Sequence, residues 1–207
     1  MRVRREHVRS ALIAIVAGVA LGVAMRLMRY ADAPVPKIAA LGVPWLAVAF
    51  AVGALEREKW RAMRTAAASL VTAVGVYYLL ESPVEGHTSL RYAAAMTVAW
   101  SVAGIAVGAV FGRLGAAWRQ WRSTFASAAL GGAFVGEAML LLVVWRSDAA
   151  YAVLMCELVV GIALPLALAR RRALALALPM TLAVAIAFAA AEATIRVVMH
   201  SAGWAGG

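Results

Sequence analysis

Cysteine and charged residues are scarce in this chain, and each scarcity excludes a class of protein. Its 207 residues include one cysteine, Cys156, so no intrachain disulfide can form. Charged residues make up 14% of the chain and hydrophobic residues 65%. A soluble domain of this length cannot bury so much apolar surface in a single core. The composition therefore indicates an integral membrane protein.

Motifs of catalysis and of cofactor binding are also missing. The chain has no H-E-x-x-H, no C-x-x-C and no phosphate-binding P-loop motif. Neither lysine lies within an apolar stretch, because Lys37 and Lys59 both fall in gaps, and this excludes a retinal Schiff base. We predict no catalytic residue, no metal site and no cofactor, so an enzyme is the less favoured class.

The apolar stretches have the length of membrane-spanning helices. A hydrocarbon core about 30 Å thick is crossed by roughly 20 helical residues. Helices are expected because every backbone polar group must be hydrogen-bonded within lipid, and a β-barrel would show shorter, alternating segments. We predict an all-α fold: a polytopic transmembrane helix bundle of seven spans in a single domain, residues 1–207. The predicted spans are residues 10–27, 38–55, 62–80, 90–111, 124–145, 149–169 and 173–198.

The second segment is the weakest of these, because Gly42 and Pro44 interrupt it. It is either a kinked span or a re-entrant half. With seven spans and a cytoplasmic N-terminus, most of the 20 Lys and Arg residues fall on the cytoplasmic side, as the positive-inside rule requires. Without this crossing the majority would lie outside. We therefore predict that the second segment spans, with the N-terminus inside and the C-terminus outside. The predicted cytoplasmic cations are Arg2, Arg4, Arg5, Arg9, Arg57, Lys59, Arg61, Arg64, Arg113, Arg119, Arg122, Arg170, Arg171 and Arg172.

Two glutamates, Glu137 and Glu157, lie deep within predicted spans. Each is about ten residues from the turn near Asp148, so an antiparallel hairpin places both roughly 15 Å below that turn. A carboxylate at such a depth is costly and usually faces a bundle interior or a wet cavity. Two adjacent carboxylates in a low dielectric hold one proton between them, which suits a proton, cation or polar-substrate site. The alternative is that each glutamate only stabilises the bundle, and helix rotation decides whether the two face each other.

Other residues are weaker candidates. Glu192 and Arg196 are spaced i, i+4 and are predicted to form a structural ion pair, with a gate or ligand contact as the alternative. Glu81 lies near Glu85 and His87, where a solvated loop is favoured over a metal site. Glycines in the fourth to sixth spans predict close helix packing, within the chain in preference to between two copies. These glycines are Gly104, Gly108, Gly112, Gly132, Gly136 and Gly161.

Several short segments between residues 44 and 144 carry a family resemblance. They are Pro44–Phe50 leading to Gly53, the pair Tyr77-Tyr78, Trp100–Gly112 and Gly136–Ala138. Together they resemble an uncharacterised family of small polytopic membrane proteins, largely from actinobacteria, that is defined as a domain of unknown function. Many members have an acidic residue after the tyrosine pair, and Glu81 matches it. The resemblance implies a bacterial integral membrane protein and no particular activity.

The sequence leaves three functions open. The favoured one is a small transporter or permease-like protein, with Glu137 and Glu157 in a polar site near the bilayer midplane. The second is a non-catalytic membrane subunit or scaffold that binds a partner protein or a second copy. The third and least favoured is an intramembrane enzyme acting on lipid. In each case we expect a multi-pass protein of the bacterial plasma membrane, with basic clusters that contact anionic lipid headgroups and not nucleic acid.

Overall fold

A computed structural model describes residues 2–32, 35–39, 41–81, 90–144, 148–169 and 173–201, which form helices and no strand. The helices are α1 (Arg2–Met28), α2 (Val35–Ala39), α3 (Val43–Leu55), α4 (Lys59–Glu81), α5 (Leu90–Trp121), α6 (Thr124–Val144), α7 (Asp148–Leu168) and α8 (Leu174–Ser201). Within these residues, six helices are long and apolar enough to cross a membrane, and α3 is a shorter apolar helix. The chain is a helical, multi-pass membrane protein.

The helices extend furthest beyond the predicted apolar spans at two places. α1 begins at Arg2, ahead of the predicted start at residue 10, and α5 continues to Trp121, past the predicted end at residue 111. Arginine, glutamine and alanine are good helix formers, so the backbone stays helical where the apolar pattern stops. Arg122, which follows the last residue of α5, has a φ of 50° and donates its backbone N–H to the carbonyl oxygen of Trp118.

The second predicted span is not one continuous helix. Gly42 lies at the N-cap of α3, and Pro44 occupies the first turn, so residues 38–55 are divided between α2 and α3. Proline lacks the N–H that a helix interior needs, and it disfavours helical backbone in the residue before it. In the first turn of a new helix the missing N–H carries no cost, because that N–H would have no partner within the helix. The sequence predicted a kinked span or a re-entrant half here, and the described residues instead form two separate helices.

Two compact units divide the chain, Met1–Ser123 and Thr124–Gly207. The expectation of a single transmembrane domain stays a prediction. In the first unit, α4 packs against α1, α3 and α5. Its core is formed by side chains of α1 to α4: Leu21, Met25, Ala39, Ala49, Val52, Ala66, Leu70, Ala73 and Tyr77.

Contacts at the two ends of the first unit fix the direction of its helices. At one end, which we name the Glu56 end, Ser10 of α1 and Thr65 of α4 both donate to the carboxylate of Glu56. At the other, the Tyr77 end, Arg29 following α1 donates to the Tyr77 hydroxyl of α4. α1 and α4 therefore run parallel. α3 runs the opposite way, because Trp45 in its first turn packs edge-on against Tyr77 with ring centroids 6.3 Å apart, while Glu56 follows its last turn.

The α4–α5 contact of the first unit is built on glycines. A Cβ added at Gly108 would lie 2.7 Å from the Cα of Ala67, and one at Gly112 would lie 2.5 Å from the carbonyl oxygen of Ala62. A Cβ at Gly104 would meet Leu70 at 3.3 Å. These pairings run in opposite directions along the two helices, so α4 and α5 are antiparallel. At Gly108 and Gly112 the backbones approach closely because the facing residues of α4 are alanines, which offer no more than a methyl group.

In the second unit, α6 packs along both α7 and α8, which contact each other less. Fully buried alanines cover α6 where the neighbouring helices meet it: Ala126, Ala128, Ala133 and Ala138. Within lipid, helices gain little from the hydrophobic effect, so small side chains that allow close van der Waals packing are what hold such a helix between two others.

Candidate functional site

Glu137 and Glu157 lie at one level of the α6–α7 contact. Gly131 of α6 contacts the carbonyl oxygen of Gly161 on α7, and a Cβ on Gly161 would lie 2.8 Å from Val135 and 3.0 Å from Phe134. As numbers rise on α6 they fall on α7, so the two helices are antiparallel. Continuing this register by one turn or so brings Glu137 opposite Glu157. Each side chain is almost completely buried, with 2% of Glu137 and 6% of Glu157 exposed.

The carboxyl groups of Glu137 and Glu157 interact electrostatically within the second unit. Glu157 interacts electrostatically with Glu137 and, to a smaller extent, with Glu192. Its Oε2 atom is buried without a hydrogen-bond partner among the described residues. A buried acceptor that lacks a donor is costly, and an ionised one more so. A cation or a proton at Oε2 of Glu157 would therefore offset the cost of burying this atom.

Glu192 approaches this pair from the third helix of the unit. A Cβ on Gly132 would lie 2.8 Å from the carbonyl oxygen of Thr181, and one on Gly136 would lie 2.7 Å from that of Ala185. Numbers rise together in these contacts, so α6 and α8 are parallel. The register places Glu192 about one turn beyond Glu137 along α6, on the side away from Gly132. Three helices thus each supply one carboxylate to the same region, which we name the carboxylate cluster: Glu137, Glu157 and Glu192.

Sequence reasoning had assigned Glu192 to a pair with Arg196 and had not connected it with Glu157. The Arg196 side chain lies outside the described residues, so that ion pair stays a prediction. The signal for Glu192 was weak, because its level follows only from the parallel register of α6 and α8. The glycine contacts between α6 and α8 show that register.

The surroundings of the carboxylate cluster are apolar and small. Phe188 packs over Gly136, and Pro165 packs over Gly131. The nearby hydroxyls donate to backbone, Thr181 to the carbonyl of Ala177 at 2.8 Å and Ser127 to that of Thr124 at 2.9 Å. Over the part of the chain that the structure describes, no group of three or more His, Cys, Asp and Glu residues could hold a metal ion.

The first unit contains two buried charged residues that sequence reasoning missed. Arg26 lies at the end of the first predicted span, residues 10–27, and only 2% of it is exposed. Its Nη2 donates to the Tyr30 hydroxyl at 2.5 Å, and its guanidinium carbon lies 4.9 Å from the centroid of the Tyr30 ring and 5.5 Å from that of Tyr77. The i, i+4 spacing of Arg26 and Tyr30 was the available signal. This cluster ties the end of α1 to α4 through cation–π contacts.

The second missed residue is Glu56, which lies buried just after α3. Its Oε1 accepts from Ser10 at 2.7 Å and from Thr65 at 3.5 Å. Beside it, Arg61 pairs with Glu6 and, at 3.1 Å, with Glu58. The network joins α1, α3 and α4 at the Glu56 end. The secondary candidate Glu81 ends α4, but its side chain lies outside the described residues, as do Glu85 and His87.

Comparison with known proteins gives a family and no characterised relative. A family of unknown function, DUF6518, matches residues 1–197. The resemblance inferred from residues 44–144 to a family of unknown function is confirmed, and it extends over nearly the whole chain. The actinobacterial origin stays a prediction. No curated protein and no solved structure matches the chain.

Proposed function

The chain belongs to DUF6518, a family of unknown function, and we propose that it is a small transporter whose cation-binding site is formed by Glu137 and Glu157. The observation that carries the proposal is the buried Oε2 of Glu157, which has no hydrogen-bond partner among the described residues, in a side chain that interacts electrostatically with a second carboxylate, Glu137. Two acidic groups in lipid repel each other when both are ionised, so a bound cation or proton stabilises them.

A purely structural role fits this arrangement less well. A glutamate that only holds helices together would be expected to use both its oxygens in hydrogen bonds between helices, and Glu157 Oε2 has no such partner among the described residues. Intramembrane carboxylates are rare and are commonly part of ion or proton pathways. Pro165, which is fully buried one turn beyond Gly161, adds a site where the α7 backbone lacks one hydrogen bond.

The proposed membrane topology has seven spans, with α3 as the short second span and the Glu56 end on the cytoplasmic side. Support comes from α3, which reaches from Trp45 beside Tyr77 to Glu56 beside Ser10. At ~1.5 Å per residue its 13 residues are about 20 Å long, so the spanning path also needs α2 or local thinning of the bilayer.

Anionic lipid headgroups are the proposed surroundings of the Glu56 end. Lys59 lies over the ring of Trp121 at 4.4 Å and Arg122 over that of Trp118 at 4.8 Å. Trp60 and Trp121 are exposed. Tryptophan and basic side chains together are typical of the membrane–water interface, and cytoplasmic lipids attract Lys and Arg. A location in a bacterial plasma membrane accords with this orientation.

Reconstitution into liposomes tests the transport function. Purified wild-type chain is expected to dissipate an imposed gradient of protons, sodium, potassium or a small organic cation faster than protein-free liposomes do. The double variant Glu137→Gln, Glu157→Gln is expected to fall to the protein-free rate. Glu58→Gln is the matched control, because Glu58 is largely exposed and pairs with Arg61 only at the surface.

The outcome against transport is a wild-type rate equal to that of empty liposomes for every cation tested. The alternative function, a non-catalytic subunit that binds a partner protein or a second copy, then has its own test. Crosslinking in membranes followed by purification in mild detergent would recover the partner. A monodisperse monomer without a crosslinked partner would count against that alternative.

A further inference from the structure

The helix contacts near the carboxylate cluster restrict the size of any ligand. On the α8 side, a Cβ on Gly136 would lie 2.7 Å from the carbonyl oxygen of Ala185. On the α7 side, a Cβ on Gly161 would lie 2.9 Å from the carbonyl oxygen of Gly131. Backbones are thus in direct contact within one or two turns of Glu137 on both sides. Such packing leaves no space for an organic cation at these glycine levels.

The available oxygen atoms also do not suit a metal ion. Calcium takes six to eight oxygen ligands, and magnesium requires a near-octahedral set. The described residues include no group of three or more acidic, His or Cys side chains with metal-holding geometry. The hydroxyl of Thr181, which lies near this region, already donates to a backbone carbonyl of its own helix. A proton has no such requirement, because one hydrogen satisfies two carboxylate oxygens at once.

We propose that the ligand of this site is the proton, shared between Glu137 and Glu157, and that Glu192 is the next group to receive it. This inference rests on the proposed function and specifies its substrate. Glu157 is 6% exposed, and its Oε2 atom is buried without a hydrogen-bond donor among the described residues. A hydrogen placed on Oε2 converts this unsatisfied acceptor into a donor toward Glu137, the carboxylate with which Glu157 interacts most strongly. The two carboxyls then carry a single negative charge between them.

Transfer to Glu192 balances without a further reactant. The O–H bond of the protonated pair breaks and an O–H bond forms on the Glu192 carboxylate, while one negative charge passes back to the pair. Glu192 is less buried than the other two and lies nearer the Asp148 end of α7 by the α6–α8 register. It therefore lies between the deeply buried pair and one end of the second unit, where a water molecule or headgroup can exchange the proton.

Infrared spectroscopy of the reconstituted full chain tests the shared proton directly. A protonated carboxylic acid has a carbonyl stretch separate from the bands of a carboxylate, and exposed glutamates are ionised near pH 7 because their pKa is about 4.3. The wild-type chain is expected to show the protonated band at pH 7, with a shift in deuterium oxide and no change on adding sodium. Glu157→Gln is expected to remove the band, and Glu58→Gln to leave it unchanged.

The variant Glu192→Gln separates the transfer step from the shared proton. It is expected to retain the protonated band at pH 7 and to lower proton flux into liposomes several-fold. The wild-type spectrum alone can overturn the inference, so the test does not depend on the folding of any variant. Absence of the protonated band at pH 7, or its loss on adding sodium, would overturn the inference.

The failures of the two proposals are distinguishable. A protonated band without any flux supports proton binding and removes the transport function. Flux of sodium or potassium that requires Glu137 and Glu157, in a protein lacking the protonated band, keeps the transport function and overturns the proton as its substrate. Proton flux unaffected by Glu192→Gln overturns the assignment of Glu192 as the next acceptor.

Discussion

Gly131 of α6 and Gly161 of α7 lie against each other's carbonyl oxygen, and this contact sets the level of the carboxylate pair. With either glycine replaced by a larger residue, the two helices must separate or slide. A slide by the rise of one residue would move Glu157 about 1.5 Å along the axis relative to Glu137. The site therefore depends on two residues that have no side chain of their own.

The first prediction concerns Gly161→Ala. The added methyl group would lie 2.8 Å from Val135, 2.9 Å from the Gly131 carbonyl oxygen and 3.0 Å from Phe134, so backbone must move. We expect the free energy of unfolding to fall by about 1–3 kcal/mol, as for other overpacked contacts, and liposome flux to fall with it. Thermal unfolding in mild detergent and the flux assay measure the two effects.

Gly75→Ala is the control for this substitution. Gly75 lies within α4, and a Cβ there has no heavy atom within 4 Å. Alanine is favoured over glycine in a helix by about 1 kcal/mol in water, so Gly75→Ala should be neutral or slightly stabilising. If Gly161→Ala unfolds at the same temperature as Gly75→Ala, the close α6–α7 contact is wrong.

The second prediction compares how much two glycine-to-alanine substitutions in α5 lower the free energy of unfolding. A Cβ at Gly108 would lie 2.7 Å from the Cα of Ala67, which is backbone and cannot move alone, whereas at Gly104 it would lie 3.3 Å from the Leu70 Cβ. We expect Gly108→Ala to lower the free energy of unfolding by about 1–3 kcal/mol and Gly104→Ala by less than about 1 kcal/mol. Equal effects in an unfolding assay would contradict the antiparallel register of α4 and α5.

The level of Glu137 and Glu157 could be predicted from the sequence because a short turn near Asp148 joins their helices. Counting residues away from such a turn gives equal depth on two antiparallel helices, and the Gly131–Gly161 contact gives the same level. Gly42 and Pro44 were also recognised as an interruption, but both were placed inside one span, residues 38–55; the new helix beginning at Val43 puts the proline in a first turn, where it is favoured.

Rotation about a helix axis could not be predicted in the same way. Whether Glu192 turns toward Glu157 depends on which small residues of α8 meet Gly132 and Gly136, and alanines on every face of α8 leave several choices. The burial of Arg26 had the same cause. An arginine near a helix end is predicted from sequence to lie at the membrane–water interface. Its burial inside the first unit is seen only from the packing of Tyr30 and Tyr77 around its guanidinium group.

The third prediction concerns the hydrogen bond between Ser10 and Glu56. Ser10→Ala removes the 2.7 Å donor and leaves the buried Glu56 Oε1 with Thr65 at 3.5 Å. Loss of a donor to a buried charged group costs about 1–3 kcal/mol, so the unfolding temperature should fall. Combined with Glu56→Gln in a double-mutant cycle, the coupling energy should be at least about 0.5 kcal/mol.

Thr194→Ala provides the comparison for that cycle. Thr194 is exposed on α8, and its hydroxyl donates to the carbonyl oxygen of Ala190 within the same helix. Its removal should change stability little. Additive effects of Ser10→Ala and Glu56→Gln, within the scatter set by Thr194→Ala, would show that the two side chains do not interact.

The fourth prediction tests whether α3 crosses the membrane, on which the orientation of every later helix depends. Asp32 and Glu58 are exposed residues on either side of α2 and α3. With Cys156 replaced by serine, single cysteines introduced at positions 32 and 58 report the two sides separately. A membrane-impermeant maleimide should label position 32 in right-side-out vesicles and position 58 in inside-out vesicles. Labelling of both positions in the same vesicles would make α3 re-entrant, and the basic residues of α5 would then lie outside, against the positive-inside rule.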